Sequence, residues 1–287
     1  MSFFFHSIEV NFVNMIKGER TLIEASKNPL IVFLTDFGSD PYVGIMKGRI
    51  LQINPLVRII SLTNNINTQD IRHAAFVLLK SYKYFPPHTI FLAIVDPGVG
   101  GPRKAIAAKK DDYYFIGPDN GILSPIFSDN KDVIVVDLPI PDEASHTFHG
   151  RDVFAPAAGK LSQTYLLKDL GPISAIQTSF DFYWDHVTLT GEVIFIDHFG
   201  NIITNIPNSM NLQYNKEYLL LTTKTKVILS FKGSYFEGSD VNPFLVISSY
   251  ETIEISLQNG RAADILDITP GDRIQIRSVD KKIKIDK

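Results

Sequence analysis

Two rhythms of hydrophobic and polar residues divide the chain. From residue 30 onward, short apolar runs alternate with longer segments whose apolar residues recur every three to four positions. The pattern predicts strands at residues 30–35, 57–63 and 89–95, and helices at residues 41–54 and 70–85. Uniformly apolar strands that alternate with helices are typical of a mainly parallel sheet covered on both faces, so this part is predicted to be an α/β domain.

The helix predicted at residues 70–85 has the clearest periodicity. Asn67 and Thr68 precede it as candidate N-caps, and Pro86 and Pro87 stop it. A further helix is predicted to begin near residue 153, after the segment that contains His149.

After residue 188 the helical periodicity disappears. Short runs follow that often alternate apolar and polar residues, and turn clusters rich in Gly, Pro, Ser and Asn separate them. The runs lie at residues 192–197, 218–223, 226–231, 243–248, 252–257 and 273–278. This pattern predicts a small antiparallel barrel or sandwich. We therefore expect an N-terminal extension at 1–29, an α/β domain at 30–188 and a β-barrel-like domain at 189–287, whose tail at 279–287 forms a last strand edge.

Composition narrows the class of protein. Hydrophobic residues make up 45% of the 287, with 20 Phe and 11 Tyr, enough to bury a full core and to exclude wholesale disorder. The net charge of −3 argues against duplex DNA or an anionic membrane as the main partner. The absence of Cys excludes disulfides, thiolate metal sites and a cysteine nucleophile. With no secretory or transmembrane pattern, we expect a soluble, cytoplasmic protein.

Acidic residues follow several predicted strands. Asp36 follows the first strand, Asp96 the third, and Asp119 the apolar run at 113–117. Ligands of an open α/β sheet bind beyond the carboxyl ends of its strands. One such acid is more often a turn or cap residue, but three favour a shared site without fixing its chemistry. Asp119 is the weakest candidate, because Asp-Asn-Gly is itself a good turn sequence.

Other motifs lack the context that their functions require. Asp36-Phe37-Gly38 spells a kinase motif, but the glycine loop and catalytic loop of kinases are missing. The glycines at 98–101 lack the spacing of a dinucleotide or P-loop motif. His149 has no second well-spaced histidine, so we expect no metal. It does lie before a predicted helix N-terminus, where backbone N–H groups can meet an oxygen ligand. Arg151 and Asp152 are expected to pair with each other or to cap that helix.

Six motifs together carry a family resemblance. They occur in the order LTDFG, DPYVGIMKG, IVDPGVGGPRKA, YFIGPDNGIL, TFHGRDVFAPAA and IDHFGNIITNI. From about residue 30 to the end, the chain resembles the S-adenosyl-L-methionine (SAM) hydroxide adenosyltransferases, or SAM hydrolases, relatives of the SAM-dependent fluorinase and chlorinase. The resemblance implies a Rossmann-like N-terminal domain and a barrel-like C-terminal domain. It also implies a homotrimer that binds SAM between the N-domain of one subunit and the C-domain of its neighbour, and cleaves it to adenosine and L-methionine.

The resemblance also implies roles for individual residues. The family's catalytic triad matches Asp96, Arg103 and His149, and its ribose-binding aspartate matches Asp36. The remaining substrate-binding positions match Phe148, Asp197, Phe199, Asn201, Tyr235, Ser249, Arg261, Ala262 and Ala263, those from Tyr235 onward in stretches that vary more. SAM is the substrate, so no separate cofactor is expected.

The triad bears on the choice between hydroxide and halide. Halogenases of this superfamily have Tyr in place of the histidine and lack the aspartate and arginine, and the fluorinase has Ser where this chain has Gly150. A carboxylate beside the nucleophile would repel a halide, so the intact triad favours hydrolysis. A halogenase-type enzyme and a low-turnover SAM- or adenosine-binding protein remain alternatives. Many relatives have histidine near Asn64 and Asn65; asparagine cannot titrate, and catalysis is not expected to depend on it.

Overall fold

The computed structural model describes residues 28–128, 133–210 and 212–279, and the chain divides into two compact units between Phe180 and Asp181. The extension predicted at 1–29 and the strand edge predicted at 279–287 lie, apart from their inner ends, outside the described residues. Within the described ranges, no helix combines the length and apolar character needed to cross a membrane.

A seven-stranded sheet forms the centre of the first unit. Its strands, in the spatial order β2-β1-β3-β5-β4-β6-β7, are β1 Leu30–Thr35, β2 Arg58–Thr63, β3 Ile90–Ile94, β4 Ala105–Lys110, β5 Tyr113–Pro118, β6 Ile134–Asp137 and β7 Ile173–Ser174. Strands β2, β1, β3 and β5 pair in parallel, whereas β4 and β7 run in the opposite direction. The predicted α/β class, with a mainly parallel sheet, is confirmed.

Helices cover both faces of this sheet. Helices α1 (Tyr42–Ile53) and α3 (Ala155–Thr164) share one core with the sheet, into which Met46 and Leu161 are fully buried. Helix α2 (Ile71–Ser81) lies on the other face, where Tyr82, which follows it, contacts Phe115. The helices lie on the faces of the sheet, and loops follow the carboxyl ends of β1 and β3.

The ends of the helices differ from the predicted ones. The N-cap of α2 is Asp70, whose carboxylate accepts the backbone N–H of His73 at 2.9 Å, so neither Asn67 nor Thr68 caps it. The helix ends at Ser81, and the last predicted residues form a tighter turn at Tyr82–Tyr84. Before α3, residues Gly150–Phe154 form a wide π-helical turn that begins directly after His149.

The second unit is an antiparallel barrel. Its strands, in the order β11-β10-β14-β8-β9-β13-β12, are β8 Thr190–Ile196, β9 Ile202–Pro207, β10 Glu217–Leu221, β11 Lys226–Ser230, β12 Phe244–Ile247, β13 Thr252–Ser256 and β14 Arg273–Ser278. The Lys232 N–H donates to the Leu245 carbonyl at 2.8 Å, which brings the two edges of the sheet together. The predicted barrel-like class is confirmed; the short helix α4 (Ala262–Leu266) packs against the barrel core.

Candidate active site

A cleft of about 600 Å³ opens at the carboxyl ends of β1 and β3 in the first unit. The two strands are parallel neighbours, with Thr35 beside Ile94, so the residues that follow them meet at one edge of the sheet. Asp36 and Asp96 therefore line the same cleft, together with His149 from the segment before the π-helical turn.

Asp96, Arg103 and His149 form one connected group, of which Asp96 and His149 line the cleft. Arg103 donates from Nε to Asp96 Oδ1 at 3.0 Å and from Nη2 to the other carboxylate oxygen. Nη2 also lies 2.9 Å from His149 Nδ1. Only 7% of the Asp96 side chain and 10% of the Arg103 side chain are exposed, so this ion pair is largely shielded from water. The structure thus brings together the three residues that the resemblance assigned to catalysis.

The contact with Arg103 determines the tautomer of His149. A guanidinium can only donate, so Nδ1 of His149 must accept, and the neutral imidazole then carries its proton on Nε2. Burial, together with the Arg103 charge, lowers the pKa of His149 below its usual 6.5. The imidazole is therefore neutral at physiological pH and presents Nε2–H as a hydrogen-bond donor.

Asp36 is held by a loop and shares its cleft with three aromatic rings. Its Oδ2 accepts the backbone N–H of Gln69 at 2.9 Å. The rings of Phe37, Tyr42 and Phe148 meet edge to face, with centroids 5.3–6.3 Å apart, and all three line the cleft. Phe148 was among the expected binding residues. Phe37 and Tyr42 were not singled out, although both lie in quoted motifs.

Asp119 has different surroundings from the other two strand-end acids. It is only 3% exposed, and its carboxylate accepts the backbone N–H groups of Gln177 and Thr178 at 2.8 and 3.2 Å. It does not line the cleft and instead anchors the segment that precedes Phe180. Arg151 and Asp152 pair as predicted, with Nε 2.7 Å from Oδ1.

The second unit carries a separate cleft of about 850 Å³. It is lined by six of the residues expected from the resemblance, namely Asp197, Phe199, Asn201, Tyr235, Ser249 and Arg261. Ala263 is buried outside this lining, and its N–H donates to the Gly200 carbonyl at 3.1 Å. Phe236, Tyr250 and Glu254 also line the cleft and were missed by the sequence analysis.

Asp197 organises the turn between β8 and β9. Its Oδ1 accepts the N–H groups of Phe199 and Asn201, and its Oδ2 accepts the side-chain amide of Asn201, each at 2.9 Å. Gly200 adopts φ +87°, a conformation that favours glycine. Arg261 packs against this turn and donates to the His198 carbonyl at 3.1 Å. These bonds present Phe199 to the cleft, where it is 72% exposed.

Comparisons with known proteins identify the family. A family model described as the SAM hydroxide adenosyltransferase N-terminal domain matches residues 31–171, and one for the C-terminal domain of the same family matches residues 191–275. The chain belongs to the SAM hydroxide adenosyltransferase family. Among the described residues of this family member, no group of three or more His, Asp or Glu side chains is placed to hold a metal ion.

Individual relatives agree with the family. A (R)-S-adenosyl-L-methionine hydrolase from Salinispora tropica is 33% identical over 266 residues, covering 86% of this chain and 97% of its own. A crystal structure of an uncharacterized conserved protein from Thermotoga maritima superposes with a TM-score of 0.80 at 31% identity, over 86% of this chain and 99% of its own. A fluorinase from Nocardia brasiliensis is more distant, at 26% identity over 63% of this chain and 72% of its own.

Proposed function

We propose that this chain hydrolyses SAM to adenosine and L-methionine by in-line attack of water or hydroxide on C5′. The group formed by Asp96, Arg103 and His149 carries this proposal, since a carboxylate and a neutral imidazole line one cleft and a guanidinium is hydrogen-bonded to both. The family match and the name of the Salinispora tropica relative support it.

The reaction exchanges one bond at C5′ for another. An O–C5′ bond forms, the C5′–S bond breaks with its electron pair moving to sulfur, and one proton of the attacking water is released. Because the sulfonium leaves as a neutral thioether, the protein's main tasks are to align the nucleophile and to stabilise its negative charge. The Arg103 guanidinium supplies that positive charge.

The hydrogen bonds divide the remaining roles between His149 and Asp96. His149 accepts from Arg103 through Nδ1, so its Nε2–H is available to donate to the nucleophilic oxygen and orient it. Asp96 holds the guanidinium through two bonds and offers carboxylate oxygens as acceptors for the proton of the water. In this arrangement the imidazole positions the oxygen, and the carboxylate receives the proton.

Substrate binding involves both clefts in this proposal. Asp36 suits the 2′,3′-diol of the ribose, because a carboxylate can accept from both hydroxyls. The aromatic cleft of the second unit would bind another part of SAM, and a homotrimer would join the first-unit cleft of one subunit to the second-unit cleft of its neighbour. SAM is the substrate, so the proposal includes no resident cofactor. The cytoplasmic location expected from the sequence stays a prediction.

An isotope experiment tests the proposal. Purified protein is incubated with SAM in H₂¹⁸O without halide, and we expect adenosine that carries ¹⁸O at its 5′ position. Failure to release adenosine while SAM binds tightly would instead indicate a binding protein. Formation of 5′-halogenated adenosine on adding chloride or fluoride would indicate a halogenase. Light scattering tests the trimer, and a monomer at assay concentration would contradict the shared site.

Variants separate chemistry from binding. Arg103→Ala and His149→Ala should lower kcat more than they weaken SAM binding, by roughly 10²-fold or more if they act on the nucleophile. Asp36→Ala should mainly raise KM. The opposite division would mean that the roles assigned to these residues are wrong.

A further inference from the structure

Glu254 occupies an unusual position on strand β13. The strand reads Thr-Ile-Glu-Ile-Ser, and Ile253 and Ile255 point into the barrel core. Alternation places Glu254 on the opposite face, where a charged residue would ordinarily be solvated. It is nevertheless only 3% exposed. In the described part of the chain it forms no ion pair, so its burial must be offset by hydrogen bonds.

Two hydroxyl groups supply those bonds. Tyr235 Oη donates to Glu254 Oε1 at 2.7 Å, and Ser256 Oγ donates to the same oxygen at 2.6 Å. Burial raises the pKa of Glu254 above its usual 4.5. Tyr235 belongs to a short turn between β11 and β12, so its bond to β13 ties that loop to the barrel. The acid thus restrains the direction of one tyrosine side chain.

The restrained ring belongs to an exposed aromatic surface. Tyr235 is 50% exposed, while Phe236 and Phe199 are 89% and 72% exposed, and all three line the second-unit cleft. Open aromatic faces in a cleft suit a flat heteroaromatic base, which stacks on such rings. In SAM the matching group is adenine.

We propose that Glu254 is a positioning residue that fixes the Tyr235 ring as a stacking surface for the adenine of SAM. This inference rests on the proposed function. Glu254 acts through the tyrosine hydroxyl rather than on the reacting atoms. Without the hydrogen bond, the ring and its loop would have to be ordered by the ligand, which weakens binding.

A double-mutant cycle tests the coupling. Tyr235→Phe keeps the ring and removes the hydroxyl, while Glu254→Leu removes the acceptor and Glu254→Gln keeps a carbonyl acceptor. We expect Tyr235→Phe and Glu254→Leu each to raise the KM for SAM and the Kd for adenosine about threefold to tenfold, the range corresponding to one hydrogen bond. The kcat should change less than twofold, and the double variant should match Glu254→Leu alone.

Two control variants accompany the cycle. Glu254→Gln should restore most of the affinity. Tyr214→Phe, an exposed tyrosine that stacks on Phe231 outside the cleft, should change nothing. An unchanged KM in Tyr235→Phe would overturn the inference even if Glu254→Leu failed to fold, and so would additive effects in the double variant. Absence of SAM hydrolysis in the wild type would instead count against the proposed function.

Discussion

Lowering the pH from 7 to 5 should destabilise the first unit through one histidine of helix α2. His73 is only 7% exposed, and its Nδ1 lies 3.3 Å from the backbone N–H of Asn67, which it accepts. Burial lowers the pKa of His73 from 6.5 to about 4, against a smaller opposing effect of Asp70. Protonation of Nδ1 would leave the Asn67 N–H without this acceptor. Asn67 belongs to the same loop as Gln69, whose backbone N–H donates to Asp36.

The sign and size of the effect follow from the two pKa values. The folded state favours the neutral imidazole, so the contribution of His73 is complete above pH 6.5 and is lost as the pH falls toward 4. Proton linkage at one site gives a loss of about 2 kcal/mol between pH 7 and pH 5, and roughly 3 kcal/mol in full. Against a total stability of about 5–15 kcal/mol, this loss is readily measured.

Urea denaturation at both pH values provides the assay, with His73→Gln as the reference variant. Circular dichroism at 222 nm follows the first unit, because helices α1 to α3 lie there. The wild type should lose about 2 kcal/mol more than the variant, with little change in 0.5 M NaCl, since burial rather than a surface charge causes the shift. Equal pH dependence of the two proteins would refute the reasoning. Fluorescence of Trp184, the single tryptophan, reports on the second unit in the same samples.

Three further predictions concern the first unit. Gly150→Ser should destabilise the protein by about 1–3 kcal/mol in denaturation, because the added Cβ would lie 2.9 Å from Met46 Sδ and 3.0 Å from the Phe148 ring. The same variant should yield no halogenated product. The acidic midpoint of the wild-type kcat/KM profile should lie below pH 6.5, since the pKa of His149 is lowered, and His149→Gln should remove that acidic limb. Asp119→Ala should cost about 1–3 kcal/mol in stability because the buried carboxylate and its bonds to the backbone N–H groups of Gln177 and Thr178 are lost, while the KM for SAM stays within twofold.

The sequence was informative about the fold wherever one strand or helix carried its own pattern. Strand β4 was missed because Ala105–Lys110 combines small alanines with two lysines, and its strand conformation depends on pairing with β5 and β6. Strand β9 was missed because Asn205 and Pro207 interrupt its apolar run. The N-cap of α2 is Asp70 rather than Asn67 or Thr68, a local choice between nearby polar residues that the apolar period does not make. Pairing between strands decides the first two cases, and local capping decides the third.

The candidate site shows the same limit more sharply. Asp96 and Arg103 are seven residues apart on one loop, so their proximity is compatible with the sequence alone. His149 lies 46 positions beyond Arg103, and only the family resemblance connected it to them. Glu254 was overlooked because alternation on β13 predicts a solvated face, and the loop that covers it belongs to a distant segment. Contacts between distant segments leave no periodic signal.

The π-helical turn at Gly150–Phe154 has a consequence for insertions and deletions in this family. Such a turn holds one residue more than an α-helical turn, so removing one residue would let it continue α3 as regular helix. Each residue of an α-helix rotates the chain by about 100°. The same shortening would swing His149 around the helix axis, away from Arg103. The number of residues between the histidine and the helix therefore matters in relatives as much as the histidine itself. A homologue that keeps all three side chains but lacks one intervening residue would be expected to have lost their contact.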